Sequence, residues 1–177
     1  MGAIPDTGRP ASDEYDPFYE TYVGLVPETS LDEVLDQQLE IVANLIAGLS
    51  ESKADHRYAP GKWSIREVIG HVIDTEWVFS NRALWFARGN PGPLPGMDQD
   101  DFARASVYDG VALPILAEQF QSIRAAGLAQ YRTFSEQILG RRGTASGGEV
   151  SVRALLYILA GHLRHHLRVL KDRYLVT

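Results

Sequence analysis

Three of the five histidines in this 177-residue chain lie close together, in the stretch AGHLRHHLRVL at residues 160–170. An imidazole can ligate a metal ion, relay a proton or simply lie on a polar helix face. His162 and His166 are four residues apart, so in a helix both imidazoles can reach one ion. Such pairs are also common on polar helix flanks, and a third ligand is needed before the spacing indicates a metal site.

The apolar residues around these histidines indicate which of them face inward. At about 100° per residue, His166 lies about 40° from the apolar stripe of this helix, His162 about 80° and His165 about 140°. We therefore expect His162 and His166 at the edge of the buried face, and His165 towards solvent. The stripe is formed by Val152, Leu156, Leu159, Leu163 and Leu170.

His71, in the stretch GHVIDTE, is the candidate for the third ligand. Its helix is apolar almost all round, so the helical phase does not show whether His71 faces the centre of the fold or is an ordinary core residue. His56 lies in the polar stretch SKADHRY, which is typical of a loop, and we leave it out of the candidate site.

Polar residues follow His71 on the same helix and could support a metal ligand: Asp74, Glu76 and Arg82. Glu76 falls on an apolar line of that helix, an unfavourable place for an unpaired carboxylate. Three alternatives stay open for it. It orients a ligand imidazole, it pairs with a basic residue of another helix, or it is exposed because the assumed phase is wrong.

The composition narrows the chemistry. The chain has no cysteine, which excludes disulfides, thiolate metal sites and a cysteine nucleophile, so any metal ion must have nitrogen and oxygen ligands. The net charge is −6 and the basic residues are scattered, which argues against nucleic acid as a partner. No apolar run reaches the roughly 18 residues of a membrane span, and the start lacks the features of a signal peptide. We expect a cytoplasmic protein of bacterial type that does not bind membranes.

Four helical segments can position the histidines. The first covers residues 31–49 after Ser30, and the second opens with a capping box at Ser64 and Glu67 and runs to about Arg88. The third covers residues 114–140, and the last begins after Ser151. The intervening stretch GRRGTASGGE reads as a loop, and no segment alternates as a strand would. These patterns predict an all-α four-helix bundle.

The two connecting regions of interest lie outside these helices. Frequent prolines and glycines predict a flexible tail over residues 1–14. One domain is expected over residues 15–177. Its first segment, YDPFYETYVGLVP, is rich in aromatic residues and is expected to pack on the bundle. The stretch GMDQDDF carries Asp98, Asp100 and Asp101 but lacks the glycine and glutamate of a calcium loop. We interpret it as a solvated loop at the rim of the site.

Two long motifs and the histidine stretch together resemble the DinB-like family, within it the YfiT-like metal-dependent proteins. They are YAPGKWSIREVIGHVIDTEWVFSNRALWFARG, PLPGMDQDDF and GHLRHHLRVL. The resemblance covers roughly residues 15 to 172. It implies a four-helix bundle whose metal ligands would be His71, His162 and His166, the pair that the helical phase selects plus one histidine of the second helix.

The resemblance also implies a range of functions. It suggests one divalent ion, such as Zn, Ni or Fe, with open positions where a water molecule or a low-molecular-weight thiol would be activated for attack on a small-molecule substrate. A metal-dependent hydrolase and a thiol transferase are both implied. The alternative is a non-catalytic metal-binding bundle with a role in assembly or sensing. Trp63, Trp77 and Trp85 could line a cleft, fill the core or form the seam of a homodimer.

Overall fold

The structure, a computed structural model, describes residues 2–176. Four long helices form a bundle and confirm the predicted all-α class: α2 (Leu31–Ala47), α4 (Ile65–Ala87), α6 (Leu113–Tyr131) and α8 (Val152–Tyr174). Shorter helices connect them: α1 (Glu20–Val23), α3 (Glu51–Ala54), α5 (Gln99–Ala105) and α7 (Glu136–Leu139). A 3-10 turn, Pro17–Tyr19, leads into α1.

The long helices are arranged so that α2 and α4 each pack against both α6 and α8. Two apolar clusters fill the space between them, and α4 buries residues on most of its circumference. This explains why the helical phase of α4 could not show which way its histidine points. Within residues 2–176, every helix is too short or too polar to cross a lipid bilayer.

Serine caps fix the starts of the two helices that carry the candidate histidines. The hydroxyl of Ser64 accepts a hydrogen bond from the backbone N–H of Glu67 at 3.1 Å, and the Glu67 carboxylate accepts one from the backbone N–H of Ser64 at 2.6 Å. The hydroxyl of Ser151 accepts from the N–H of Ala154 at 2.9 Å. Both predicted N-termini are confirmed, because these side chains satisfy amide groups that a helix start leaves free.

A β-hairpin occupies the segment that the sequence predicts as a loop. Strand β1 (Arg142–Ala145) pairs antiparallel with β2 (Gly148–Ser151). The turn between them places Ser146 and Gly147 at positive φ, 54° and 80°, which suits a tight two-residue hairpin. With four residues in each strand, the hairpin is too short to show the alternation by which strands are recognised in a sequence.

The third predicted helix also differs from the structure, because α6 ends at Tyr131 and the continuous helix over residues 114–140 was wrong. A turn follows, and the short α7 starts again at residue 136. The hydroxyl of Ser135 accepts from the N–H of Ile138 at 3.3 Å. A serine that caps a new helix in this way competes with continuation of the old one.

The first residues of the chain contact the bundle. Ile4 is buried, and its N–H donates to the carboxylate of Asp32 at 3.1 Å. Glu14 is buried as well, forms an ion pair with Arg153 and accepts from the hydroxyl of Ser151 at 2.7 Å. The sequence predicts a flexible tail over residues 1–14, whereas in the structure this segment contacts the bundle. Met1 lies outside the described residues. The partners that anchor the segment are distant in sequence and could not be read from its composition.

Candidate metal centre

The packing of α4 against α8 brings the three predicted histidines together. Nε2 of His71 lies 3.0 Å from Nε2 of His162, and Nε2 of His166 lies 3.1 Å from the same atom. One ring nitrogen from each residue falls within 4.8 Å of those of the other two. His162 is therefore the central member of a compact cluster that could hold a metal ion.

The distances between these nitrogens fit ligation of one ion. Two imidazole nitrogens that bind one ion at about 2.1 Å are about 3.0 Å apart at an octahedral angle of about 90° and about 3.4 Å apart at a tetrahedral angle of about 109°. The observed 3.0 and 3.1 Å correspond to the smaller angle for the two pairs that include Nε2 of His162. Nδ1 of His166 is buried and has no hydrogen-bond partner. Within residues 2–176, every other buried side-chain nitrogen or oxygen has one. His166 thus makes its polar contact through Nε2, which faces the other two rings.

Burial keeps these imidazoles neutral. The exposed fractions are 7% for His71, 6% for His162 and 9% for His166. Loss of hydration lowers the pKa of His71 to about 4 and that of His166 to about 3, and it lowers the pKa of His162 as well. A neutral imidazole has a free lone pair, so all three residues are in the protonation state that a metal ligand requires.

Aromatic rings hold the histidines in place from both sides. The ring of Trp63 lies 5.1 Å from that of His71, and the ring of Tyr22 lies 5.3 Å from that of His162. Tyr22 belongs to α1, which approaches α8 closely because residue 161 is a glycine. A Cβ on Gly161 would lie 2.0 Å from the backbone oxygen of Tyr22, so any other residue there would push α1 away.

The remaining two histidines lie outside the cluster, as predicted. His165 is partly exposed and packs its ring against that of Tyr22, 5.5 Å away. His56 is exposed and lies near Tyr174, at a ring distance of 6.4 Å. The helical phase of α8 thus separated His165 correctly from its neighbours.

The polar residues that follow His71 have three different environments. Asp74 accepts a hydrogen bond from the hydroxyl of Tyr108 at 2.7 Å. Glu76 is buried and forms an ion pair with Arg124 of α6, which realises the second of the three alternatives left open for it. Neither carboxylate makes a hydrogen bond or an ion pair with a histidine of the cluster, so the structure gives no support for their predicted role behind the ligands. Arg82, in contrast, lines the same cleft as the histidines.

A cleft of about 390 Å³ opens beside the cluster. Its floor includes His71, His162 and Thr75, whose hydroxyl donates to the backbone oxygen of His71 at 2.9 Å. Asp98 and Asp100 lie on its rim, which agrees with the interpretation of the acidic stretch; Asp98 caps α5 by accepting from two backbone N–H groups.

The sequence did not identify three aromatic residues of the cleft wall, Phe18, Tyr19 and Tyr22. Their segment was expected to pack on the domain, and it does. Aromatic richness was the available signal, but it does not specify which surface of the bundle the segment covers.

Comparison with known proteins supports this description. The family model of the DinB superfamily matches residues 34–170. A protein of Oceanobacillus iheyensis that carries the provisional name metal-dependent hydrolase is 25% identical over 143 residues, which cover 76% of this chain and 80% of that protein.

Among solved structures, the fold is similar to that of YfiT from Bacillus subtilis, with a TM-score of 0.69 and 17% sequence identity over 86% of this chain and 91% of YfiT. YfiT is described as a probable metal-dependent hydrolase with an unusual four-helix bundle topology. At this level of identity the likeness shows the fold.

Proposed function

This chain belongs to the DinB superfamily, and from that premise we propose that it is a metal-dependent hydrolase whose divalent ion is held by His71, His162 and His166. The observation that carries the proposal is the convergence of three buried Nε2 atoms at separations of 3.0 and 3.1 Å beside an open cleft. The names given to the Oceanobacillus iheyensis relative and to YfiT point to the same reaction class.

The three histidines suit a reactive centre better than a closed structural one. Three protein ligands leave room for a water molecule or substrate, whereas structural sites use four. A bound divalent ion supplies Lewis acidity, which lowers the pKa of a water molecule at an open position and polarises a carbonyl group. Imidazole ligands suit Zn, Ni and Fe alike, so the ligand set does not select among these ions.

The protein's own residues prepare the site. Trp63 and Tyr22 fix the planes of the His71 and His162 rings, so both Nε2 atoms keep their direction without an ordering step. Tyr19 and Phe79 line the cleft with apolar surface that limits access of bulk water. A small substrate would enter past the acidic rim at Asp98 and Asp100.

A thiol transferase is the second candidate, because the same ligand set can activate a low-molecular-weight thiol in place of water. A non-catalytic bundle, in which the ion serves assembly or sensing, is the third. The open cleft at the histidines favours an enzyme over the third candidate, because a bound ion would face space for a small molecule.

Removal of the metal ion should abolish hydrolysis. Protein treated with a chelator should lose activity towards 4-nitrophenyl esters, and one equivalent of Zn, Ni or Fe should restore it, because the three histidines form one site. The same samples are tested with cysteine and 1-chloro-2,4-dinitrobenzene. Turnover only in that assay would favour the transferase. A lower melting temperature without metal, together with no turnover in either assay, would favour the non-catalytic alternative.

Substitution of His165 by alanine should leave metal content and activity within about twofold of wild type, since its ring packs on Tyr22 outside the cluster. Metal content is measured by atomic emission on purified protein. Loss of the ion from the His165→Ala variant would mean that α8 presents a different face to α4 than the one described.

A further inference from the structure

The cleft beside the histidines continues into a second cavity of about 300 Å³ that reaches the β-hairpin. Both cavities are lined by the same five residues, so they form one elongated groove. These are Phe18, Tyr19, Phe79, Arg82 and Ser146. The histidine cluster lies in one half of the groove, and Arg82 lies where the two halves meet.

Arg82 differs from the other deeply buried arginines of the molecule. Arg66 forms ion pairs with Glu51 and Asp55, and Arg124 forms one with Glu76. Arg82 is 3% exposed, yet among residues 2–176 no carboxylate oxygen lies within 4.0 Å of its nitrogens. A buried charge without a partner of opposite sign is unfavourable, so this guanidinium is a group that an anion would stabilise.

Arg82 makes two hydrogen bonds through Nη2, and the side chain of Tyr19 also interacts with its guanidinium. Nη2 donates to the backbone oxygen of Pro95 at 2.8 Å and to the hydroxyl of Ser146 at 3.0 Å. The guanidinium carbon also lies 5.0 Å from the centre of the Phe79 ring. These contacts fix the plane of the group, while Nε and Nη1 make no hydrogen bond to a backbone carbonyl or carboxylate oxygen of the described chain. We infer that Arg82 binds an anionic oxygen group of the substrate in this groove.

The surroundings select a carboxylate as that group. Both N–H groups of Nη2 are already used, so the anion would accept single charge-assisted hydrogen bonds from Nε or Nη1, which a carboxylate oxygen can do. Exposed acidic residues lie at both ends of the groove, Asp98 and Asp100 near the histidines and Asp16 and Glu149 near the hairpin. A dianionic phosphate would be repelled by these four carboxylates more strongly than a singly charged group.

The spacing along α4 sets the length of the ligand. His71 and Arg82 are eleven residues apart, which corresponds to about 16 Å along the helix axis, and an arginine side chain can lean back by about 6 Å. The carboxylate should thus lie roughly 10 Å from the bond that is cleaved. This inference rests on the proposed function for the position of that bond, but the binding of the carboxylate itself does not depend on turnover.

Binding is measured first, with two ligands, one of which has a free carboxylate where the other has a methyl ester. Monomethyl suberate carries one carboxylate, and dimethyl suberate carries none. By calorimetry on the metal-loaded protein, wild type should bind the monomethyl ester about tenfold or more tightly than the dimethyl ester, as expected for a charge-assisted hydrogen-bonded pair. Arg82→Gln should abolish this preference and Arg82→Lys should keep part of it. Arg88→Gln, which removes an exposed charge from the end of the same helix, should keep all of it.

Turnover is measured with the matching substrates, mono-4-nitrophenyl suberate and its methyl ester at the remote carboxyl. Arg82→Gln should raise KM for the charged ester about tenfold and change kcat/KM for the neutral ester much less, a difference that a general loss of structure would not give. Absence of hydrolysis with both esters would count against the proposed function alone, because the calorimetric comparison still decides the role of Arg82.

Two results would overturn the inference. Equal affinity of wild type for the charged and the neutral ligand would show that no carboxylate site exists, even if the Arg82→Gln variant fails to fold. An Arg82→Gln variant that folds, as judged by circular dichroism, and keeps the full preference would show that the carboxylate binds the metal ion or another residue.

Discussion

Substitution of His162 by alanine should weaken metal binding by about a hundredfold or more, since even residues behind a ligand contribute about 10–100-fold. Nε2 of His162 lies about 3 Å from Nε2 of each of the other two histidines. Its loss therefore leaves only two imidazoles to bind the ion. Hydrolytic activity should fall with the metal content. The helices should persist, because the apolar clusters are unchanged. Competition with a chromophoric chelator measures the affinity, and circular dichroism measures helicity.

The His165→Ala variant is the matched control, because it removes an imidazole from the same helix three residues away. The two variants should differ in metal affinity. Their melting temperatures are compared directly in the absence of metal. Metal binding that survives His162→Ala unchanged would contradict the assignment of the ligands. Activity that survives complete loss of the ion would contradict the proposed function even if the ligands are correct.

Substitution of Arg124 by methionine should destabilise the fold by about 3–5 kcal/mol, the range for removing one partner of a buried ion pair. Nε of Arg124 donates to the carboxylate of Glu76 at 2.9 Å, and Nη1 donates to the side-chain oxygen of Gln38 at 2.7 Å and to the backbone oxygen of Leu35 at 3.1 Å. The methionine would leave these acceptors without partners in the core. Urea unfolding followed by circular dichroism gives the change in free energy.

The same substitution at an exposed pair provides the comparison. Arg104 and Asp101 form an ion pair in which the side chains are 71% and 67% exposed, so Arg104→Met should change stability by less than about 1 kcal/mol. Adding Glu76→Gln to the Arg124→Met variant should recover part of the loss, because a buried neutral amide is less unfavourable than a buried carboxylate. An equal effect of Arg124→Met and Arg104→Met would refute the buried network.

The sequence was most informative where the signal is local. The capping serines at 64 and 151 and the phase of His165 depend on neighbours within one or two turns, and the structure agrees with each. The environment of Glu76 depends on Arg124, which is 48 residues away on another helix. A phase calculation could place Glu76 in the interior, but it could not choose its partner.

The walls of the cleft show the same limit. Tyr22 reaches His162 because Gly161 lets α1 come close, and neither residue is unusual in its own segment. Ser146 reaches Arg82 because a hairpin of ten residues forms where the sequence shows only small and polar side chains. Contacts of this kind follow from packing between distant segments, which patterns along one helix do not encode.

The division of the site between two kinds of structure has a consequence for how its specificity can change. The three histidines stand on α4 and α8, the long helices of the bundle, whereas Phe18, Ser146 and the acidic rim belong to short connecting segments. Connecting segments accept substitutions and insertions more readily than packed helices. The range of molecules that fit the groove can therefore diverge largely through the connections, while the three histidines keep their arrangement on the long helices.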